Sequence, residues 1–252
     1  MKFNEYAKNK IRKRNLENLE EVIAASLMHL EEGEELPGWI EEKVIKQCRK
    51  YGWSFYQVVS SIITDPIAAS ALAKEAKKQG VAERAQQEFL EHRGITVNRL
   101  YSSGPDAIRL LNGELIYGPT QALTATKSMD FICQGNSLMD LIYAKYTEEA
   151  GGSQDNQARD VVHFLEEATR YVKTHDDKVR FVALLDGGYY FKIMHKFEEY
   201  ASDRIIVANS DTYYGTTTIT TSGSRKQKKR DTFVSKELVE RVKHAVDAYK
   251  AE

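Results

Sequence analysis

The chain has 252 residues, of which 42% are hydrophobic and 29% are charged, and its formal net charge is −1. This composition is typical of a globular protein and excludes a disordered chain, which would be poorer in apolar residues. The balanced charge excludes binding to nucleic acid by global charge alone, but it is compatible with local basic strips. No apolar run approaches the roughly 18 residues that span a bilayer, and the N-terminus does not resemble a signal peptide. We therefore expect a cytoplasmic protein without a membrane partner.

Residues 1–76 are predicted to form an N-terminal helical region. Apolar residues recur at three- and four-residue spacing from Leu16 to Leu30, which predicts an amphipathic helix. After a polar break that ends at Pro37-Gly38, residues 39–51 and 54–63 predict two short helices. Asp65 and Pro66 are suited to the N-cap and first position of a further helix, which we expect to be long.

Residues 77–210 alternate between helical and strand patterns. A helix that Gly94 ends comes before a short strand at 95–101 and a hairpin with the turn Asn112-Gly113. Two strands, 127–134 and 137–146, come next, and a helix follows over 153–175. The continuous apolar run 179–186 predicts a strand buried on both faces, and a helix over 189–201 leads to a last strand at 204–209. The sequence thus predicts an α/β fold, with a mixed central sheet flanked by helices.

Residues 211–252 are predicted to form a basic arm and a C-terminal helix over 235–250. Five cations follow the polar tract TTTITTSGS, namely Arg225, Lys226, Lys228, Lys229 and Arg230. A flexible segment that carries this charge is suited to contacts with phosphates, although a solvated loop has the same composition.

Asp130 and Lys145 lie on the two neighbouring strands 127–134 and 137–146, which we expect to pair antiparallel. Side chains two residues apart on a strand share a face, so Lys145 points the same way as Tyr143, whereas Asp140 points to the other face. Hydrolysis of a phosphodiester needs a metal held by carboxylates and a cation that offsets charge developing on the phosphate. Asp130 and Lys145 can meet these two needs, although such a pair is also common on protein surfaces.

The sequence around these two residues resembles a known family. KSMDF, a strand that ends in Lys145, the segment GGSQDNQARDVVHFLEEA and the strand ending LLDGGYY are similar to type II restriction endonucleases of the PD-(D/E)XK superfamily. The upstream segment KKQGVAERAQQEFLEHRGITVNRLY is similar to the first core helix of that superfamily, whose glutamate corresponds to Glu83. The resemblance covers about residues 77–210.

This resemblance implies a restriction-endonuclease-like core that cleaves double-stranded DNA at specific sequences with Mg²⁺. Asp130 and Glu83 would hold the metal, and Lys145 would be the catalytic lysine that positions or polarises the attacking water. A homodimer is implied as well, because cutting both strands of a symmetric site calls for two equivalent sites.

Position 143 departs from the family pattern, which has Asp or Glu two residues before the lysine. A tyrosine with an ordinary pKa near 10 is a poor ligand for Mg²⁺. Three explanations are open: the second carboxylate comes from elsewhere, with Glu83 preferred to Glu148; the chain is a degenerate homologue that binds DNA without cutting it; or Tyr143 is an engineered substitution that disarms the enzyme. A structure-selective nuclease such as a junction resolvase is a further alternative.

The segment GGSQDNQARD, which follows the strand of Lys145, lies where this family often meets DNA. Amides and arginine pair with base edges, so four residues are candidates for DNA contacts: Gln154, Asn156, Gln157 and Arg159. The alternative interpretation is a helix N-terminus capped by Ser153, with these side chains in solvent.

Overall fold

The computed structural model describes residues 1–75, 80–102, 105, 107–118, 124–134, 138–149 and 154–215. It divides into two compact units. The N-terminal unit comprises Glu5–Ala85, and the C-terminal unit comprises Met1–Asn4 together with the chain from Gln86 onward. The predicted basic arm, with Arg225, Lys226, Lys228 and Lys229, and the predicted C-terminal helix lie outside the described residues.

The N-terminal unit is helical, as its sequence predicts. Its helices are α1 (Phe3–Glu32, which starts in the C-terminal unit), α2 (Gly38–Tyr51), α3 (Phe55–Thr64) and α4 (Pro66–Leu72). Ser54 caps α3 by accepting a hydrogen bond from the Gln57 N–H, while Gln57 accepts one from the Ser54 N–H. The Asp65 carboxylate likewise caps α4 through the N–H of Ile67.

Two details of the N-terminal unit differ from the sequence prediction. Of the expected apolar stripe on α1, Val22 is buried, whereas Leu16 and Leu27 are 51% and 38% exposed. The helix expected to be long, α4, ends at Leu72. Lys43 Nζ donates to the carbonyl oxygens of Leu72 and Ala73, so an ammonium group binds carbonyls that a longer helix would use.

The C-terminal unit is built on a five-stranded mixed sheet. Its strands are β1 (Asn98–Arg99), β4 (Phe131–Gln134), β5 (Met139–Tyr146), β6 (Val179–Asp186) and β7 (Ile205–Ala208), in that spatial order. β1, β4 and β5 are antiparallel neighbours, and β5, β6 and β7 run parallel. The predicted mixed α/β architecture is confirmed, and so is the antiparallel pairing with the strand of Lys145, although the observed β4 starts one residue after Asp130.

Side chains from the two faces of the sheet enter different apolar clusters. On one face, Leu141 and Tyr143 pack with Phe164 and Leu165 of α6 (Gln154–Thr174). On the other, Ile142 and Ala144 pack with Leu90 of α5 (Val81–His92). Consecutive residues of β5 thus alternate between clusters, as strand geometry requires. Apolar side chains fill both faces because helices cover the sheet on both sides.

A separate hairpin consists of β2 (Ile108–Leu111) and β3 (Glu114–Tyr117). Its turn residues Asn112 and Gly113 have φ values of 53° and 74°, which two-residue hairpin turns of this kind require. Gly113 is also tightly packed, because a Cβ there would lie 2.8 Å from Arg170 Cβ.

The predicted helix over 189–201 was too long. α7 spans Gly188–Ile193 and gives way to two 3₁₀ turns, Met194–Lys196 and Glu198–Tyr200. Within this segment Tyr190 and Phe197 are buried, but Phe191 is 74% exposed. A helix in a protein is stabilised chiefly by a packed apolar face, and this segment has too little of one for a long helix. Among the described residues, none of the helices has the length and apolar character of a membrane span.

Candidate active site

Asp130 and Lys145 come together on the face of the sheet that α6 covers. Lys145 Nζ lies 3.9 Å from Asp130 Oδ2, and the two side chains are 23% and 24% exposed. The same carboxylate oxygen accepts a hydrogen bond of 2.8 Å from the Ala144 N–H, which fixes it against β5. The pair is therefore oriented by the backbone and open to solvent on one side, as a site for a charged ligand must be.

Tyr143 lies directly beside this pair. The antiparallel register pairs Phe131 with Ile142, and one further step places Asp130 opposite Tyr143. The Tyr143 ring is fully buried, stacks on Phe164 with 4.9 Å between centroids, and carries Lys145 Nζ 4.2 Å above its own centroid. A large aromatic ring thus occupies the position where the resemblance to restriction endonucleases leads us to expect an acid.

The hydroxyl of Tyr143 is buried and has no hydrogen-bond partner among the described residues. Burial raises the pKa of this phenol far above its ordinary value, and the charges of Asp160 and Asp130 raise it further. Tyr143 is therefore a neutral phenol at physiological pH, and it cannot replace an anionic ligand.

Asp160 on α6 is the residue that the sequence prediction missed. It precedes Phe164 by four residues, so both lie on one side of the helix, and Phe164 is the residue that stacks on Tyr143. Lys127 Nζ lies 3.4 Å from the Asp160 carboxylate. The sequence signal for Asp160 is its spacing of four residues from Phe164, which places both side chains on one side of a helix. The structure shows that this side faces the sheet, because Phe164 is buried there.

The structure gives contacts for two other acids, Asp140 and Glu148, and places a third, Glu83, in the N-terminal unit. Asp140 lies on the opposite face, as alternation predicts, where it is fully buried and accepts hydrogen bonds from Arg180 and Tyr213. The Glu148 carboxylate accepts a hydrogen bond of 3.0 Å from the Tyr146 hydroxyl. Glu83 is in the first turn of α5 and falls in the N-terminal unit, so its role in a metal site remains a prediction.

The polar residues predicted to contact DNA lie in the first two turns of α6. The helix begins at Gln154, and Asn156 and Arg159 are exposed and hydrogen-bonded to each other. Gln157 Oε1 accepts a hydrogen bond of 2.7 Å from the Thr147 hydroxyl, just beyond the end of β5. Gln157 therefore ties the start of α6 to the strand that carries Lys145, while Asn156 and Arg159 face solvent.

Mg²⁺ in proteins commonly binds one or two carboxylates and keeps several waters, which substrate phosphates can replace. Asp130 and Asp160 offer two carboxylates whose charges both act on the Tyr143 hydroxyl. Within the part of the chain that the structure describes, there is no group of three or more His, Cys, Asp or Glu side chains that could hold a metal. The donors present fit a weakly held, largely hydrated Mg²⁺ and do not fit a tightly bound structural metal.

A second polar network lies at the end of β6 on the α5 face. The buried Asp186 carboxylate accepts hydrogen bonds from the N–H and hydroxyl of Ser210, at 2.9 and 2.6 Å, and from Gln86 Nε2 at 2.8 Å. Burial raises the pKa of Asp186 to about 6 in spite of these bonds, each of which favours the ionised form. The network joins α5 to the segment after β7, on the face opposite Lys145.

Among known proteins, no family model, no curated protein and no solved structure matches this chain. The resemblance to restriction endonucleases therefore depends on the short motifs around Asp130, Lys145 and Glu83. A nuclease function is accordingly a proposal, for which the arrangement of the site residues is the physical argument.

Proposed function

We propose that this protein hydrolyses phosphodiester bonds of double-stranded DNA with Mg²⁺, at a site formed by Asp130 and Lys145. The observation that carries the proposal is the 3.9 Å approach of Lys145 Nζ to the Asp130 carboxylate on one face of the sheet. A carboxylate and an ammonium group held together in this way can bind a cation and a phosphate side by side.

Each residue has a distinct role in the proposed reaction. Asp130 and Asp160 would hold the metal ion, and Mg²⁺ when bound would offset negative charge on the phosphate. Lys145 donates to a phosphate oxygen or orients the attacking water, since its ammonium group already lies at the carboxylate. Water adds to phosphorus as the P–O3′ bond breaks, which leaves a 5′-phosphate and a 3′-hydroxyl.

Two exposed residues at the start of α6 support the proposed substrate class. Asn156 and Arg159 are exposed in the first two turns of α6 and present an amide and a guanidinium, the groups that pair with adenine and guanine edges. More specifically than DNA hydrolysis in general, we propose a type II restriction activity on a specific sequence. It includes a homodimer, because two equivalent sites cut the two strands of a symmetric sequence.

Plasmid digestion tests this function. The wild-type chain and a Tyr143→Glu variant are incubated with supercoiled plasmid in Mg²⁺, and Asp130→Asn is the control. Discrete fragments from the wild-type chain, absent with Asp130→Asn, support a restriction nuclease. Random nicking supports a nuclease without sequence preference, and faster cutting of a four-way junction than of duplex supports a structure-selective enzyme. No cutting by either chain contradicts the proposed hydrolysis.

A second candidate function is a DNA-binding protein with a nuclease-like fold that does not cut. The buried neutral phenol of Tyr143 favours it, because this ring occupies the position of the expected acid. A gel shift of duplex DNA in EDTA, with no cleavage at any Mg²⁺ concentration and with cleavage restored by Tyr143→Glu, supports this candidate. Cleavage by the wild-type chain rejects it.

A further inference from the structure

Two aromatic side chains lie exposed at the end of α2 in the N-terminal unit. Tyr51 and Trp53 are 50% and 51% exposed, and their rings stack with 4.9 Å between centroids and 26° between planes. Neither residue belongs to the apolar core of this unit, which includes Val44, Val58 and Ile62. A stacked pair of large rings at the surface therefore needs a reason other than packing of the core.

Three cations surround the same helix end. Lys46, Arg49 and Lys50 are three and four residues apart, so they share one side of α2, and all three are exposed. Neither Lys46 nor Arg49 makes a hydrogen bond or ion pair with any described residue, and Lys50 Nζ lies 4.8 Å above the Tyr51 ring. These five residues form what we call the aromatic–cationic patch.

The helix terminus explains only part of this arrangement. Cations in the last turn of a helix interact favourably with its dipole, which accounts for Arg49 and Lys50. It does not account for Lys46, which repels Lys50 across one turn, or for the exposed rings. Cations bind backbone phosphates and exposed aromatic rings stack on bases, so this combination is suited to a nucleic acid whose bases are accessible.

We propose that the aromatic–cationic patch binds single-stranded nucleic acid. A base stacks on the exposed face of Trp53, and Lys46 and Arg49 contact the adjoining phosphates. Stacking of this kind needs unpaired bases, because bases in a duplex already stack on each other. The cations favour nucleic acid over a protein partner, since an apolar protein surface would leave their charge without a counterion. This proposal does not depend on the nuclease site.

The test uses the full chain in a Trp39→Phe background, because the chain has two tryptophans and this change leaves Trp53 as the only one. The probe is a 20-nucleotide oligothymidylate, titrated without divalent metal. Quenching of Trp53 fluorescence is expected on binding. In the original Trp39 background, Trp53→Ala should weaken binding to a dye-labelled form of the oligonucleotide about fivefold or more, the effect of losing one stacked base.

Two control variants separate stacking and charge from general effects. Ile67→Ala removes a side chain that is 78% exposed in the same unit, and it should leave binding unchanged. Arg49→Ala should weaken binding and reduce the salt dependence by about 0.7 in log–log slope, the value for one phosphate contact on a single strand. Lys13→Ala removes the same charge from α1, and it should change neither the affinity for the oligonucleotide nor the salt dependence of binding.

Several results would overturn the proposal. Unchanged fluorescence on addition of oligothymidylate would do so, as would equal binding by wild type, Trp53→Ala and Arg49→Ala. If Trp53→Ala abolishes self-association in sedimentation without affecting the oligonucleotide, the patch is a protein contact and the proposal is wrong. The titration reads binding at Trp53 without divalent metal, whereas the plasmid assay reads cleavage in Mg²⁺, so failure of the nuclease proposal and failure of this one are distinguishable.

Discussion

The Asp130 carboxylate accepts the Ala144 N–H and lies 3.9 Å from Lys145 Nζ, so one strand supplies both its anchor and its counterion. The hydrogen bond fixes the carboxylate in the sheet. The Asp130–Lys145 pair is therefore arranged in advance of any ligand, which is a requirement for electrostatic stabilisation of a reaction.

We predict that Asp130→Asn and Lys145→Met each reduce Mg²⁺-dependent DNA cleavage about 100-fold or more, the usual effect of removing one such group. Both changes keep the side-chain volume, so thermal unfolding should change little. Lys173→Met, an exposed change in the last turn of α6, is the matched control and should keep full activity. Cleavage that survives Lys145→Met would place the reaction elsewhere.

Tyr143→Phe should stabilise the protein. It removes a buried hydroxyl without a described partner and keeps the stack on Phe164. An unsatisfied buried polar group costs about 1–3 kcal/mol, so we expect a gain of about 1 kcal/mol, or roughly 2–4 °C in Tm.

Tyr213→Phe is the matched control for this measurement, because the Tyr213 hydroxyl donates to Asp140 at 2.6 Å. Its removal should destabilise the protein by about 1 kcal/mol or more. If Tyr143→Phe destabilises the protein to the same extent, the Tyr143 hydroxyl has a partner, such as a bound ion.

Asp186 should make stability depend on pH between about 4 and 6. Its folded-state pKa of about 6 lies above its ordinary value of 3.8, so the folded state keeps a proton that the unfolded state loses as pH rises. This contribution is fully present below pH 3.8 and is lost as pH rises to about 6.

Protonation of Asp186 contributes about 3 kcal/mol to the free energy of unfolding, given 1.36 kcal/mol for each pKa unit. The measurement is urea unfolding of wild type and Asp186→Asn at several pH values. The stability of Asp186→Asn relative to wild type should rise by about that amount from pH 4 to pH 7. A difference that stays constant across this range would show that Asp186 has an ordinary pKa.

Local sequence patterns predicted the part of the site that lies on neighbouring strands. The alternation of β5 placed Lys145 with Tyr143 and turned Asp140 away, because the side-chain period of a strand is fixed at two residues. The position of Asp130 followed from the expected antiparallel pairing of the strands 127–134 and 137–146.

The contributions of the helices were not predictable in the same way. The charge of Asp160 acts on the Tyr143 hydroxyl because α6 packs on this face of the sheet with Phe164 against Tyr143, and a single sequence does not give that packing. The hydrogen bond from Gln86 to Asp186 joins residues 100 positions apart, so no local pattern indicates it. The length predicted for α7 was wrong because the burial of this segment depends on its packing against the sheet, which a single sequence does not give.

Asp140 and Asp160 should give opposite results when each is changed to asparagine. Asp140 is fully buried and binds Arg180 through two hydrogen bonds of 2.7 and 2.8 Å. Asp140→Asn leaves the Arg180 guanidinium without its counterion, which should cost about 3 kcal/mol of stability. It should leave Mg²⁺ affinity unchanged, because the residue lies on the other face of the sheet.

Asp160→Asn removes a partly exposed carboxylate whose ion pair with Lys127 is worth about 0–1 kcal/mol. We expect little change in Tm and a Mg²⁺ affinity weakened about tenfold or more, measured by calorimetry. Lys127→Met is the matched control, because it breaks the same ion pair and keeps the acid, and so should not weaken binding. If Asp160→Asn binds Mg²⁺ like wild type, the second carboxylate is another residue, and Glu83→Gln is then the variant that tests the original expectation.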